Sequence, residues 1–209
     1  MTGPTLRSVA RGRSDAFAYT CHGCARCCHH KGIRVGPYEA ARLAAVLGTT
    51  TTAVLARDVD PASGTLRQRD DGACVYLAEG RCTVHAGRPL ACRLYPLGWV
   101  GTVEDAEVFV ELAPLPESAG QYGGVGTVAA YLDHQGTAPY ERRAADYAAV
   151  ARRVAAALAI DGPDPGPPPP FDDIDAALGD TVLGDVEART DRHLALLHRW
   201  LDAAGAPLG

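Results

Sequence analysis

Seven cysteines are the residues of this chain best suited to chemistry. The first four follow the spacing C-x2-C-x2-C-C, and three more follow at wider intervals, with none after position 92. They are Cys21, Cys24, Cys27, Cys28, Cys74, Cys82 and Cys92. A Cys-x2-Cys spacing allows two thiolates to face one metal while the backbone amides between them point toward the sulfurs. Core cysteines would be scattered through apolar segments. These stand among glycine, histidine and arginine, so we predict that all seven are metal ligands.

The number of thiols allows more than one kind of metal centre. Seven thiolates and one imidazole are enough for two tetrahedral zinc sites. Four thiolates would equally hold one iron–sulfur cluster and leave three for a second site or for redox chemistry. Adjacent side chains diverge, so Cys27 and Cys28 are expected to serve two metals, or only one of them ligates. Four histidines could supply an eighth ligand: His22, His29, His30 and His85.

Composition and charge exclude other classes of protein. The net charge of -5 and the pI near 5.8 argue against a general electrostatic fit to nucleic acid. No apolar run approaches the ~18 residues needed to cross a bilayer, and residues 1–20 lack the apolar stretch of a secretory signal. We therefore expect a cytoplasmic protein without a membrane partner. In a reducing cytoplasm, clustered cysteines more often bind metal or catalyse than form disulfides.

Apolar periodicity and turn signals predict the elements that must position the cysteines. Helices are expected over 37–47, 50–57, 126–134, 139–159 and 183–204, and strands over 65–69, 73–77 and 107–112. The proline-rich run at 161–170 cannot hold a helix and is expected to be a stiff spacer. The predicted fold class is α+β, with a small irregular metal-centred domain of short strands and surrounding helices, then a C-terminal helix. The predicted boundaries are 1–160 for the metal-binding domain, 161–170 for the linker and 171–209 for the helical tail.

The cysteine pattern resembles one known family. Besides C-x2-C-x2-C-C at 21–28, the sequence has C-x-Y-L at 74–77, Cys82, and R-P-x-x-C-R-x-Y-P at 88–96. This combination is similar to the YkgJ-type cysteine-cluster family of zinc- or iron-chelating domains, over about residues 20–100. Two features depart from the family pattern. His85 stands where relatives usually have an aromatic residue, and Pro114–Gly126 has no cysteine where a further Cys-Pro-Gly is expected, so an eighth thiolate is missing.

The resemblance implies a function as well as a site. The family includes the flagellin lysine N-methylase, for which an iron–sulfur cluster is implied. We therefore expect an iron–sulfur cluster for redox chemistry or for modification of a protein or small molecule, including methyl transfer. The alternative is a structural zinc-binding interaction module without catalysis. Arg88 and Arg93 lie in the family frame, and arginines beside thiolates would offset their negative charge, so both are predicted to contact the cofactor. The sequence identifies no catalytic residue.

Overall fold

The fold class is α+β, as predicted, in a computed structural model that describes residues 6–103, 106–113, 118–158, 166–179 and 184–206. The chain forms two units, each built from two segments. We call Met1–Arg34 with Leu66–Ala138 the cysteine unit, and Val35–Thr65 with Pro139–Gly209 the helical unit. None of the helices in the described ranges is both long and apolar enough to span a membrane.

The strands are mostly short. They are β1 (Leu6–Arg11), β2 (Tyr19–Thr20), β3 (Val59–Asp60), β4 (Thr65–Leu66), β5 (Leu77–Ala78), β6 (Arg81–Cys82), β7 (Leu97–Val103), β8 (Ala106–Leu112) and β9 (Gln121–Tyr122). Strands β1, β8 and β7 form an antiparallel sheet in that order, and β2–β9, β3–β4 and β5–β6 form two-stranded pairs. The predicted strand at 107–112 is therefore confirmed as β8. The predicted strands at 65–69 and 73–77 reduce to β4, β5 and a single bridge between Gln68 and Cys74.

Five of the helices in the described ranges follow predicted segments closely. The helices are α1 (Pro37–Leu47), α2 (Thr51–Asp58), α3 (Leu90–Leu94), α4 (Val128–Gln135), α5 (Ala138–Leu158), α6 (Ile174–Leu178) and α7 (Val186–Ala203). Of these, α3 and α6 lie outside the predicted segments. The helix ends have the expected caps. The side chain of Glu39 accepts from the Gly36 amide at 2.7 Å to begin α1, and Gly48, at a φ of 63°, ends it. Asp185 caps α7 by accepting from the Ala188 amide at 2.8 Å.

Charge pairs fix the three-stranded sheet of the cysteine unit. Arg11 on β1 donates from Nε to Glu111 Oε2 on β8 at 2.9 Å, and Glu111 is buried. Phe109 on β8 and Leu97 on β7 are almost fully buried and supply the core beneath the sheet. The N-terminal arginines therefore serve pairing within the unit, since Arg13 also forms an ion pair with Glu107.

The helical unit buries its polar groups in pairs. Arg189 on α7 forms an ion pair with Asp175 on α6, and the two side chains are 6% and 3% exposed. The hydroxyl of Tyr147 on α5 lies 2.8 Å from Nδ1 of His193 on α7, and the imidazole is fully buried. The last helix thus packs with α5 and α6.

The proline-rich spacer lies at the edge of what the structure describes. Residues 161–165 fall outside the described ranges, and most of 166–170 is exposed. The carbonyl of Gly166 accepts from Trp200 Nε1 at 3.1 Å, so part of the spacer is tied to α7. The predicted domain boundaries remain a prediction, although α5, which we assigned to residues 1–160, belongs to the helical unit.

Candidate metal centre

All seven cysteines line one cavity of about 900 Å³ in the cysteine unit. Four come from the loop at 21–28, and the other three come from the segment before β5, from β6 and from α3. The sequence places these groups far apart, and the fold brings them to one space. Cys21 and Cys24 are exposed, whereas the other five are half-buried.

Tight backbone turns aim the first four thiols at the cavity. Gly23 and Ala25 have φ values of 65° and 58°, which bend the loop into a short 3-10 turn over Arg26–Cys28. This left-handed conformation suits glycine and is unusual for alanine. Backbone amides donate to the sulfurs, as the Cys-x2-Cys spacing predicts, with the Gly23 amide 3.4 Å from the Sγ of Cys21.

Backbone pairing joins the two cysteine groups. The Cys74 amide donates to the Cys28 carbonyl at 2.8 Å, and the His30 amide donates to the Gly72 carbonyl at 2.8 Å. Gly72 has a φ of 78°, and a Cβ at that position would collide with the imidazole of His30. The glycine is needed for its left-handed turn, and a larger residue there would also displace the exposed imidazole of His30.

Two arginines support the wall that carries Cys92. Arg93 is buried and donates from its three nitrogens to the carbonyls of Arg88, Gln135 and Ala86, at 3.1, 2.7 and 2.7 Å. Arg88 donates to the His85 carbonyl at 2.9 Å and to Gln135 Oε1 at 2.8 Å. Both arginines also line the cavity. They hold α3 against the end of α4, and their contact with a cofactor remains a prediction.

The thiols differ in acidity. A hydrogen bond from Cys28 lowers the pKa of Cys27 to about 6, and the charges of Lys31 and Arg88 act in the same direction. The pKa of Cys28 is raised, because its proton is held in that bond and because it is buried. Burial raises the pKa of Cys92 to about 12. Most inner thiols are therefore protonated at neutral pH, and a metal that binds them must displace protons.

The exposed side of the cavity holds a hydroxyl beside a thiol. The Sγ of Cys24 lies 3.9 Å from Ser118 Oγ and accepts from the Ala119 amide at 3.4 Å. A hydrogen bond from the Arg26 amide, followed by these contacts, lowers the pKa of Cys24. The stretch Pro114–Gly126, in which we expected and did not find an eighth cysteine, thus reaches the cluster through a serine.

Two of the four candidate histidines line the cavity. These are His22 and His85, whereas His29 and His30 are absent from the described part of its wall. Burial lowers the pKa of His85, which favours the neutral imidazole that binds metals. The Nδ1 atom of His29 is buried and has no hydrogen-bond partner within the described ranges. An imidazole ligand is therefore available at the cavity from His22 or His85.

The cysteine thiols are suitable ligands for zinc and for iron–sulfur clusters, because both groups prefer soft thiolate donors. The donor atoms do not converge on one point: among the residues described, no three Cys, His, Asp or Glu side chains are gathered closely enough to hold a single ion. The seven thiols surround a volume instead.

Sequence reasoning did not predict that Lys31 lines the cavity. Lys31 is the only lysine in the chain, and its Nζ lies 3.5 Å from the centroid of the Tyr95 ring. Burial lowers the pKa of this ammonium, and the nearby charges of Cys27, Cys92 and Cys28 oppose that shift. The single lysine among 19 arginines was visible in the composition, but its position depends on the packing of Tyr95.

Comparison with known proteins identifies the cysteine segment. Residues 20–111 match the family model CxxCxxCC, described as a proposed zinc- or iron-chelating domain. The match includes all seven cysteines and the strands and helix that position the last three. No curated protein matches the chain, and no solved structure matches it.

Proposed function

Because residues 20–111 match the CxxCxxCC model of a zinc- or iron-chelating domain, we propose that four of the seven cavity cysteines hold an iron–sulfur cluster for redox chemistry. The family supports binding of zinc or iron by the cysteine cluster, and the identity of the group is our inference. The substrate or electron partner is proposed to be a protein or a small molecule.

The number of thiols around the cavity is the reason for proposing a cluster and not a single zinc ion. Seven thiols line one cavity of about 900 Å³, more than the four ligands that a single zinc ion takes. A zinc ion needs four ligands on one small tetrahedron, with Zn–S distances of about 2.3 Å. A cluster of several metal atoms is held by thiolates spread around a larger volume. The arrangement therefore favours the larger group.

The charges around the thiols support the same assignment. Four thiolates bring a large negative charge into a partly buried space, and such a charge needs nearby cations. Lys31 and Arg88 both lie close enough to Cys27 to favour its ionised form. A bound iron–sulfur cluster would supply one-electron transfer, with a potential that depends on net charge and solvent exposure.

The protein's own residues would control access to the group. Tyr19, Tyr95 and Tyr131 line the cavity and are buried, so they limit the entry of water. The exposed Cys21 and Cys24 lie where a partner can approach. Methyl transfer, which the family resemblance implies, remains a prediction.

Anaerobic purification of the full chain tests the proposal. The expected protein is brown, contains iron and acid-labile sulfide, and bleaches on reduction, because iron–thiolate charge transfer is coloured and zinc has a filled d shell. Cys92→Ser is expected to reduce the iron and sulfide content, and Ser14→Ala, at an exposed position of the same unit outside the cavity wall, serves as a control. A colourless protein with tightly bound zinc would overturn the cluster and favour a structural zinc module.

A further inference from the structure

The Lys31 side chain carries a positive charge into the thiol-lined cavity. It is half-buried, and its Nζ is 3.5 Å from the centre of the Tyr95 ring. Within the described ranges, the structure shows no carboxylate or carbonyl that accepts a hydrogen bond from this ammonium. Because burial of a charge is costly unless the charge is paired, a negative partner is needed in the cavity.

Two arginines of the cavity wall have protein partners of a different kind, while a third, Arg81, is exposed. Arg93 donates from each of its side-chain nitrogens to a backbone carbonyl. Arg88 donates to the His85 carbonyl and to the Gln135 side chain. These guanidiniums brace the wall, whereas the Lys31 ammonium contacts an aromatic face beside the thiols of Cys27 and Cys92.

We propose that Lys31 is the counter-cation of the metal-bound thiolates and that Tyr95 positions it. A cation over a tyrosine ring is attracted by the ring quadrupole and keeps its donors available for another partner. Tyr95 is itself fixed, because its carbonyl accepts from the Tyr131 hydroxyl at 2.6 Å and its ring packs edge-on against Tyr19 at 6.2 Å. Tyr95 therefore sets where the ammonium lies relative to the sulfurs.

This inference rests on the proposed metal-binding function, and its test uses zinc as the probe so that the outcome does not depend on the native metal. The reduced, metal-free full chain is titrated with zinc against a chromophoric chelator. Lys31→Met is expected to weaken zinc affinity about tenfold, the lower end of the effect of residues that support metal ligands. Lys31→Arg is expected to restore most of the affinity, because it keeps the charge.

Three further variants separate the effect of the Lys31 charge on zinc affinity from the effects of general surface charge and of packing. Arg34→Met removes a cation from an exposed position of the same segment and is expected to leave zinc affinity unchanged. Tyr95→Leu is expected to weaken affinity less than Lys31→Met, whereas Tyr95→Phe keeps the aromatic face and is expected to bind as the wild type does. Combining Lys31→Met with Tyr95→Leu should add little to the loss, because both variants remove the same interaction.

The possible outcomes distinguish the two proposals. If the wild type binds zinc and Lys31→Met binds it equally well, the counter-cation role is wrong while metal binding stands. Equal losses in Lys31→Met and Lys31→Arg would also overturn the role, because the charge would then be irrelevant. If the wild type binds neither zinc nor iron, the proposed function fails, and this inference fails with it. In the iron-loaded protein, Lys31→Met is expected to lower the midpoint potential, since a positive charge favours the reduced cluster.

Discussion

The two units of this protein differ in what their polar side chains are placed to contact. In the helical unit, buried polar side chains pair with one another, as Asp175 does with Arg189 and Tyr147 does with His193. In the cysteine unit, seven thiols line one cavity, and among the described residues no three donor side chains are gathered closely enough to hold a single ion. The described buried pairs of the helical unit therefore lie within that unit, whereas the thiols of the cysteine unit are the donors that a zinc- or iron-chelating domain offers to a metal.

The secondary structure shows the same contrast. The helical unit contains the two longest helices, α5 and α7, whose apolar faces supply buried residues such as Val150 and Leu197. Around the cavity, β5 and β6 have two residues each and α3 has five. Elements this short gain little from their own hydrogen bonds, so their order depends on tertiary contacts.

Removal of the metal should have the largest effect, and only in the cysteine unit. Structural metal sites of this type contribute roughly 10 kcal/mol or more of apparent free energy, which is comparable to the whole stability of a domain. After chelation under reducing conditions, amides at 21–30 and 73–94 should lose protection in hydrogen exchange, while α5 and α7 keep theirs. Equal loss in both units, or no loss in either, would show that the distinction is wrong.

Truncation after Ile160 tests whether the cysteine unit binds metal without the C-terminal part of the helical unit. It removes α6 and α7, and with them the partners of α5, so the helical unit should lose its protection against hydrogen exchange. The cysteines lie in the other unit, so the shortened chain should retain the bound metal at the stoichiometry of the full chain. Loss of metal from a truncated protein that stays in solution would contradict this prediction and the predicted boundary at 161–170.

Breaking the buried ion pair should cost less than either of these changes. Arg189→Met removes the cation from the buried Asp175 carboxylate, which keeps its hydrogen bond from the Thr51 amide. Removing one partner of a buried ion pair typically destabilises by about 3–5 kcal/mol. Metal content should not change. Arg142→Met is the matched control, because Arg142 lies 3.7 Å from Glu187 and is 60% exposed, and exposed pairs contribute about 0–1 kcal/mol. Chemical denaturation of both variants should show a much larger loss of unfolding free energy for Arg189→Met than for Arg142→Met. Similar losses would be inconsistent with the buried pair.

The smallest expected effect is a pH dependence of the helical unit. Burial lowers the pKa of His193, although its bond to the Pro170 carbonyl and the charges of Asp173 and Asp172 oppose this shift. A histidine with a lowered folded pKa binds fewer protons than the unfolded chain does, so stability is complete above the unfolded pKa of about 6.5 and falls as pH decreases below it.

The measurement is the melting temperature of the helical unit between pH 7 and pH 5. It should fall in the wild type and fall less in His193→Gln. His198→Gln replaces an exposed histidine of the same helix and should follow the wild type. A wild-type slope that His193→Gln reproduces would exclude His193 as its source.

The sequence allowed most helices and the cysteines to be predicted, because local signals specify both. Pro37 and Gly48 bound α1 as expected, and the Cys-x2-Cys spacing marked the loop at 21–28. Strands β1 and β7 were not predicted, since their residues do not alternate in hydropathy. Strand β1 is held to distant β8 by contacts such as the Arg11–Glu111 pair. Lys31 was missed for the same reason: its role depends on Tyr95, which local sequence cannot place beside it.

X-ray absorption of the anaerobically purified full chain tests the central claim most directly, because it reads the atoms around the metal. We expect iron with a nearest shell of sulfur only and a second iron within the same centre, as in a cluster held by thiolates from one cavity. An isolated zinc ion with four ligands at the distances of a tetrahedral site, or iron with a shell of nitrogen and oxygen, would contradict this expectation.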